Sequence, residues 1–211
     1  MTNNNVHTKK IITGGKKISD AKKALIMLHG RGGNPGDILS ISQYLHVNDF
    51  ALLAPEATSH TWYPFSFLAP PSQNEPWLSS ALSVVNEVVD EVKENGIDYQ
   101  NIYLLGFSQG ACLTLEFAAR NARRYGGIVA FTGGLIGDQI YAENYKGDFK
   151  ATPVFIGSSD PDSHVPVQRV NESMAILKKM TANVTGKIYR DMGHTISEDE
   201  IDTVNEIIFS S

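Results

Sequence analysis

The sequence predicts an α/β fold: a mainly parallel sheet with helices on both faces and no large cap domain. Three observations carry that expectation. Four short runs are continuously apolar, at residues 25–28 (LIML), 102–105 (IYLL), 128–131 (IVAF) and 154–156 (VFI). Each is bounded by Gly, Pro or polar residues, as suits strands buried on both faces of a parallel sheet. Helical patterns fall between the runs, and strand–helix alternation implies a sheet covered on both sides. Finally, the 211 residues show no repeat and no linker-like shift in composition, so one domain spanning 1–211 is expected.

In chain order, the run at 25–28 opens the sheet and a weaker strand covers 50–53. A long helix follows, with Ala81, Leu82, Val85, Val88, Val89 and Val92 on one face at helical spacing and Gly96 as its stop. The strand at 102–105 leads into an Ala-rich helix over 108–122. After the strands at 128–131 and 154–156, Val170, Met174 and Leu177 mark a third helix. The last helix has a capping-box start in Ser197 and Glu200, followed by the stripe Ile201, Val204 and Ile208. Parallel sheets of this kind place their sites at the carboxyl ends of the strands.

Composition narrows the function. The chain is 42% hydrophobic with a formal net charge of -5, so it has no global attraction for nucleic acid or anionic membrane. The basic clusters Lys9-Lys10, Lys16-Lys17 and Lys22-Lys23 are short and read as solvated faces. Cys112 is the only cysteine, which precludes an intrachain disulfide and fits a reducing compartment. The polar stretch from Met1 to Thr8 has no signal-like apolar core, and no run approaches the ~18 apolar residues of a membrane span. A cytoplasmic location and no stable membrane insertion are expected.

The chemistry begins at Gly106-Phe107-Ser108-Gln109-Gly110, between a predicted strand and a predicted helix. This matches the G-x-S-x-G nucleophile-elbow pattern, whose sharp turn lifts the serine above the sheet and tolerates only glycine at its crowded positions. It also aims the Gln109 N–H at a developing oxyanion. A serine hydroxyl needs a base. His194, in Asp191-Met192-Gly193-His194, is the only histidine after the 158–166 loop and stands where the last member of a Ser, acid, His order belongs. The acid must come from between them, and the 157–166 segment offers Asp160 and Asp162. The residues alone leave both open. Leu28-His29-Gly30-Arg31-Gly32-Gly33 follows the first buried strand and suits the loop that supplies a second oxyanion donor. A phosphate loop is excluded because the G-x-x-x-x-G-K-[ST] spacing is absent. His7, His29, His46, His60 and His164 lack metal-motif partners, so neither metal nor other cofactor is expected.

These residues together resemble the phospholipase/carboxylesterase family of α/β-hydrolases, relatives of the acyl-protein thioesterases. The carriers are the HGRGG loop, GFSQG, Asp160-Pro161-Asp162-Ser163-His164-Val165-Pro166 and Met192-Gly193-His194, and the likeness extends over residues 23–208. It implies a Ser108–Asp162–His194 triad, with Asp162 chosen because the family's acid lies three residues before its Val-Pro pair. Counting back from His194 favours Asp160 instead. The resemblance also implies oxyanion donors on the backbone of Arg31 and Gln109. Residues 61–71 are rich in aromatics and prolines; read alone they suit either a loop packed on the core or one wall of an apolar acyl pocket beside Ser108, and the resemblance favours the pocket, lined by Trp62, Tyr63 and Phe67. An arginine at 31 departs from the apolar residue common in the thioesterase branch. The implied function is hydrolysis of carboxylic esters or thioesters of small or medium acyl substrates, with a small-molecule ester as partner and a homodimer allowed. The alternatives are a silent binding protein on this fold, or a dienelactone hydrolase or peptidase-like enzyme. Cys112 is expected to pack in the core.

Overall fold

The apolar runs become the middle of a seven-stranded sheet. A computed structural model describes residues 6–210. The polar start expected of residues 1–8 therefore lies outside the described residues as far as Asn5. The strands are β1 (Ile11–Gly15), β2 (Lys23–Leu28), β3 (Phe50–Pro55), β4 (Ile102–Phe107), β5 (Gly127–Phe131), β6 (Pro153–Asp160) and β7 (Asn183–Arg190). Their spatial order is β1-β3-β2-β4-β5-β6-β7. Only β1 runs antiparallel, against β3; every other pairing is parallel. The helices are α1 (Pro35–Ser40), α2 (Trp77–Glu94), α3 (Gln109–Arg120), α4 (Val167–Lys179) and α5 (Glu198–Ile207).

Two cores follow from the strand period of two. Ile26, Leu28, Leu104, Ala130 and Ile156 point to one face, where they meet Val85 and Val88 of α2, Leu115 of α3 and Val170 of α4. Leu25, Met27, Leu105, Val129 and Phe155 point to the other, against Ile38 of α1 and Val204 of α5. Both faces are dry, which explains why β2, β4 and β5 read as unbroken apolar runs. The capping box of α5 is present: Ser197 Oγ accepts the Glu200 N–H and the Glu200 carboxylate accepts the Ser197 N–H. The edge strands lacked a clear sequence signal. β1 is short, with three of its five residues glycine or threonine, and β7 alternates exposed and half-buried residues as an open edge does. The short helix α1 was also missed, although Asn34 caps it with a capping box to Asp37. Among the described residues no helix is long and apolar enough to cross a membrane.

Candidate active site

Ser108 stands at the turn from β4 to α3 with φ +53 and ψ -118. A residue with a side chain rarely adopts such angles, and holding it there costs about 1–3 kcal/mol. The surroundings enforce it. A Cβ on Gly106 would stand 2.3 Å from the Gly110 carbonyl oxygen, and one on Gly110 only 2.1 Å from the Leu28 carbonyl oxygen. Glycine at both positions lets strand, elbow and helix close on each other and leaves the half-buried Ser108 hydroxyl at the carboxyl end of the sheet.

His194, in the loop after β7, places Nε2 2.8 Å from Ser108 Oγ and Nδ1 2.9 Å from Asp162 Oδ2. The carboxylate accepts, so Nδ1 carries the proton and Nε2 is free to accept from the serine hydroxyl. Asp162 Oδ1 accepts the N–H groups of His164 at 2.7 Å and Val165 at 2.8 Å. Burial alone would raise the Asp162 pKa, but those N–H groups and the His194 ring outweigh it and hold the carboxyl below its ordinary range. Asp160 takes no part. The β6 strand runs past its apolar run to residue 160, which pairs with Arg190 of β7, and its side chain is exposed. The chain turns over the site only beyond Pro161.

The loop after β2, at residues 29–33, lies against the elbow: a Cβ on Gly30 would sit 3.5 Å from Ser108 Cβ. Among the described residues, neither the Arg31 nor the Gln109 N–H donates to a protein acceptor. Beside Ser108 lies a cleft of about 430 Å³, whose walls include Arg31, Tyr63, Phe65, Phe67, Phe107 and His164. Among the described residues no cluster of three His, Cys, Asp or Glu side chains could hold a metal ion.

Residues 8–210 match the sequence profile of the Phospholipase/Carboxylesterase family. The chain belongs to the phospholipase/carboxylesterase family. It is 29% identical to acyl-protein thioesterase 1 of Kluyveromyces lactis, over 88% of this chain and 90% of that protein. The Saccharomyces cerevisiae acyl-protein thioesterase 1 is 28% identical, over 92% and 95%. A crystal structure of a phospholipase/carboxylesterase from Dyadobacter fermentans superposes with a TM-score of 0.96 at 56% identity, covering 97% of this chain and 98% of that one. The Bacillus cereus carboxylesterase superposes at 0.76 with 22% identity over 94% and 92%, a likeness of fold. The fold is that of the α/β-hydrolases, and this member of the family is a hydrolase whose family chemistry is cleavage of esters.

Trp62 corrects the sequence expectation. It does not line the cleft. It is 0% exposed, and its Nε1–H donates to the His29 carbonyl at 2.9 Å. Its ring packs on His29, centroids 5.0 Å apart. The residue braces the 29–33 loop from behind. Tyr63 and Phe67 do face the cleft, joined by Phe65, which lies between them and is exposed. Tyr63 is buried, as is Cys112, which also borders the cleft. Burial pushes the Cys112 thiol up to about 12, so it is a packed neutral group rather than a nucleophile.

Three side-chain roles escaped the sequence. The Gln109 amide accepts the Trp62 N–H at 2.9 Å and donates to the Tyr63 carbonyl at 2.8 Å, tying the aromatic wall to the elbow. Asn74, fully buried, accepts the Phe65 N–H and donates to the Ser66 carbonyl. Arg31 donates to the carbonyls of Pro64 and Phe65. A polar residue in a motif gives no sign of the backbone it will hold; Gln109 and Arg31 lie inside motifs the sequence singles out, and Asn74 lies in none.

Proposed function

We propose that this chain is a serine esterase acting on small or medium acyl esters, thioesters included, through Ser108, His194 and Asp162. The observation that carries the reading is the unbroken line from Asp162 through both ring nitrogens of His194 to Ser108, with links of 2.9 and 2.8 Å. Ser108 Oγ attacks the acyl carbonyl while His194 Nε2 takes its proton. The carbonyl oxygen becomes an anion facing the N–H groups of Arg31 and Gln109, each worth ~3–4 kcal/mol of transition-state stabilisation in comparable sites. The imidazolium then protonates the leaving alcohol or thiol, and the acyl group remains on Ser108. Water, deprotonated by His194, attacks the acyl-enzyme, and collapse returns the proton to Ser108 Oγ with release of the acid. Asp162 fixes the tautomer and balances the imidazolium charge. The relatives named acyl-protein thioesterase support the same bond type. A fluorophosphonate probe tests the reading: it should label wild type at Ser108, and Ser108→Ala should fold normally, escape labelling and lose turnover of p-nitrophenyl esters. Labelling at another serine, or an active Ser108→Ala protein, would refute it.

A further inference from the structure

The cleft beside Ser108 carries one permanent charge, and it is positive. Of the residues lining it, only Arg31 is always ionised, and no aspartate or glutamate is among them. The chain as a whole bears a formal charge of -5, so this fixed charge is opposite in sign to the net charge of the chain. Arg31 reaches from the oxyanion loop to the aromatic wall, where its two terminal nitrogens donate to the carbonyls of Pro64 at 2.9 Å and Phe65 at 2.7 Å. Both acceptors are neutral. Among the described residues no carboxylate lies within ion-pair distance of this guanidinium. Two of the five N–H donors are used; the rest stay available in a planar fork suited to a carboxylate. The two backbone contacts hold the fork in place before a ligand arrives, which lowers the cost of binding.

We propose that the site selects esters bearing an anionic oxygen group, a carboxylate in the simplest case, within a few bonds of the scissile carbonyl, and that the Arg31 guanidinium is the specificity-determining group. The proposal rests on the esterase reading of Ser108. Phe65, Phe67, Phe107 and Val165 face the same cleft and cover the methylenes between carbonyl and anion. A long neutral chain would instead lie against a guanidinium with no counterion and strip part of its water. Arg31 is exposed, so the attraction is screened by salt.

Two matched ester pairs test this. In the first, p-nitrophenyl hydrogen adipate against p-nitrophenyl hexanoate, the charge is on the acyl side. In the second, the butyrate ester of p-hydroxybenzoate against that of its methyl ester, it is on the leaving group. In at least one pair the anionic-to-neutral ratio of kcat/KM should be about tenfold higher for wild type than for Arg31→Gln, a typical scale for one partly exposed charge pair. Arg31→Lys should keep most of the preference, and ~0.5 M salt should shrink it in the unaltered chain. The responding pair locates the charge on the substrate. Equal losses on both members in Arg31→Gln would show that the guanidinium only braces the aromatic wall. A ratio indifferent to variant and salt would likewise overturn the proposal. Binding of the same esters to Ser108→Ala, read by calorimetry, should show the same charge ratio without turnover. Absence of hydrolysis by wild type would thus defeat the esterase reading, while the binding ratio still decides the role of Arg31.

Discussion

The centre and the edge of the sheet hold their halves of the site by different means. At the centre, beyond β2 and β4, backbone is pressed on backbone. The missing Cβ atoms of Gly106 and Gly110 are what let the elbow exist. At the edge, beyond β6 and β7, the loops are held by polar contacts. The Gly193 N–H donates to Ser159 Oγ at 3.0 Å, the Asp191 N–H to the Asp160 carbonyl at 3.2 Å, and Asp162 collects the rest. Steric exclusion leaves Ser108 one position. Hydrogen bonds among loops position His194 and Asp162.

The sharpest test of that contrast sits at the edge. Asp162→Asn is expected to lower kcat by about 10⁴, as loss of a triad acid does, whereas Asp160→Asn should cost less than about tenfold. Steady-state kinetics on one p-nitrophenyl ester decides it, and a larger loss at 160 would move the acid onto the strand. Next comes stability. Gly106→Ala drives a Cβ into backbone and should cost about 3 kcal/mol or more, or prevent folding. Gly193→Ala, with φ +80 and nothing within 4 Å, should cost about 1 kcal/mol for its left-handed backbone. Urea denaturation of the pair should keep that order; equal costs would remove the distinction between the two regions.

A smaller effect is expected behind the oxyanion loop. Trp62→Phe loses the hydrogen bond to the His29 carbonyl, about 1 kcal/mol, and should slow turnover alike for short and long acyl chains. A selective loss on long chains would restore Trp62 to the cleft wall. The smallest concerns pH. Burial lowers the pKa of His7 and of His29. His29 donates from Nδ1 to the Gly30 carbonyl and accepts the Ala57 N–H at Nε2, while His7 donates from Nε2 to the Trp62 carbonyl and accepts the Thr58 N–H at Nδ1. Both must stay neutral. Their folded pKa values lie below the unfolded one, so the stability they contribute is present above about pH 6.5 and is lost as pH falls through the folded values. The melting temperature should drop as pH falls below about 6.5, and His29→Gln should flatten that drop. An unchanged slope would detach His29 from it.

What could be read from sequence follows the same division. Buried strands β2, β4, β5 and β6 announced themselves because both faces are dry, and the elbow because steric crowding admits only glycine. The edge strands β1 and β7 did not, since one side of each meets solvent or a short helix and their composition is mixed. The residues alone could not separate Asp160 from Asp162, because the extent of β6 beyond its apolar run decides which carboxylate turns over the site. Trp62 was misassigned for a related reason. An aromatic-rich loop has residues facing the cleft and residues facing the core, and without periodicity nothing says which is which. The bracing roles of Gln109 and Asn74 gave no sign in the sequence, because a side chain does not announce the main-chain groups it will hold: those of residues 62 and 63 for Gln109, and of 65 and 66 for Asn74.

The two oxygens of Asp162 are not equivalent, and that asymmetry gives the site a direction. One oxygen is spoken for by two main-chain N–H groups, so only the other can face the ring. All three partners offer hydrogens, and a carboxylate is the one side chain of this size that accepts all three. An amide in its place must turn its own hydrogens somewhere, and the imidazole, a single partner, yields more readily than two fixed peptides. The ring would then accept at Nδ1 and hold its proton at Nε2, pointing it at the Ser108 hydroxyl, which in the proposed mechanism has to give one up. The backbone of residues 164 and 165 thus dictates, through one oxygen, which way a proton can travel at the far side of the histidine.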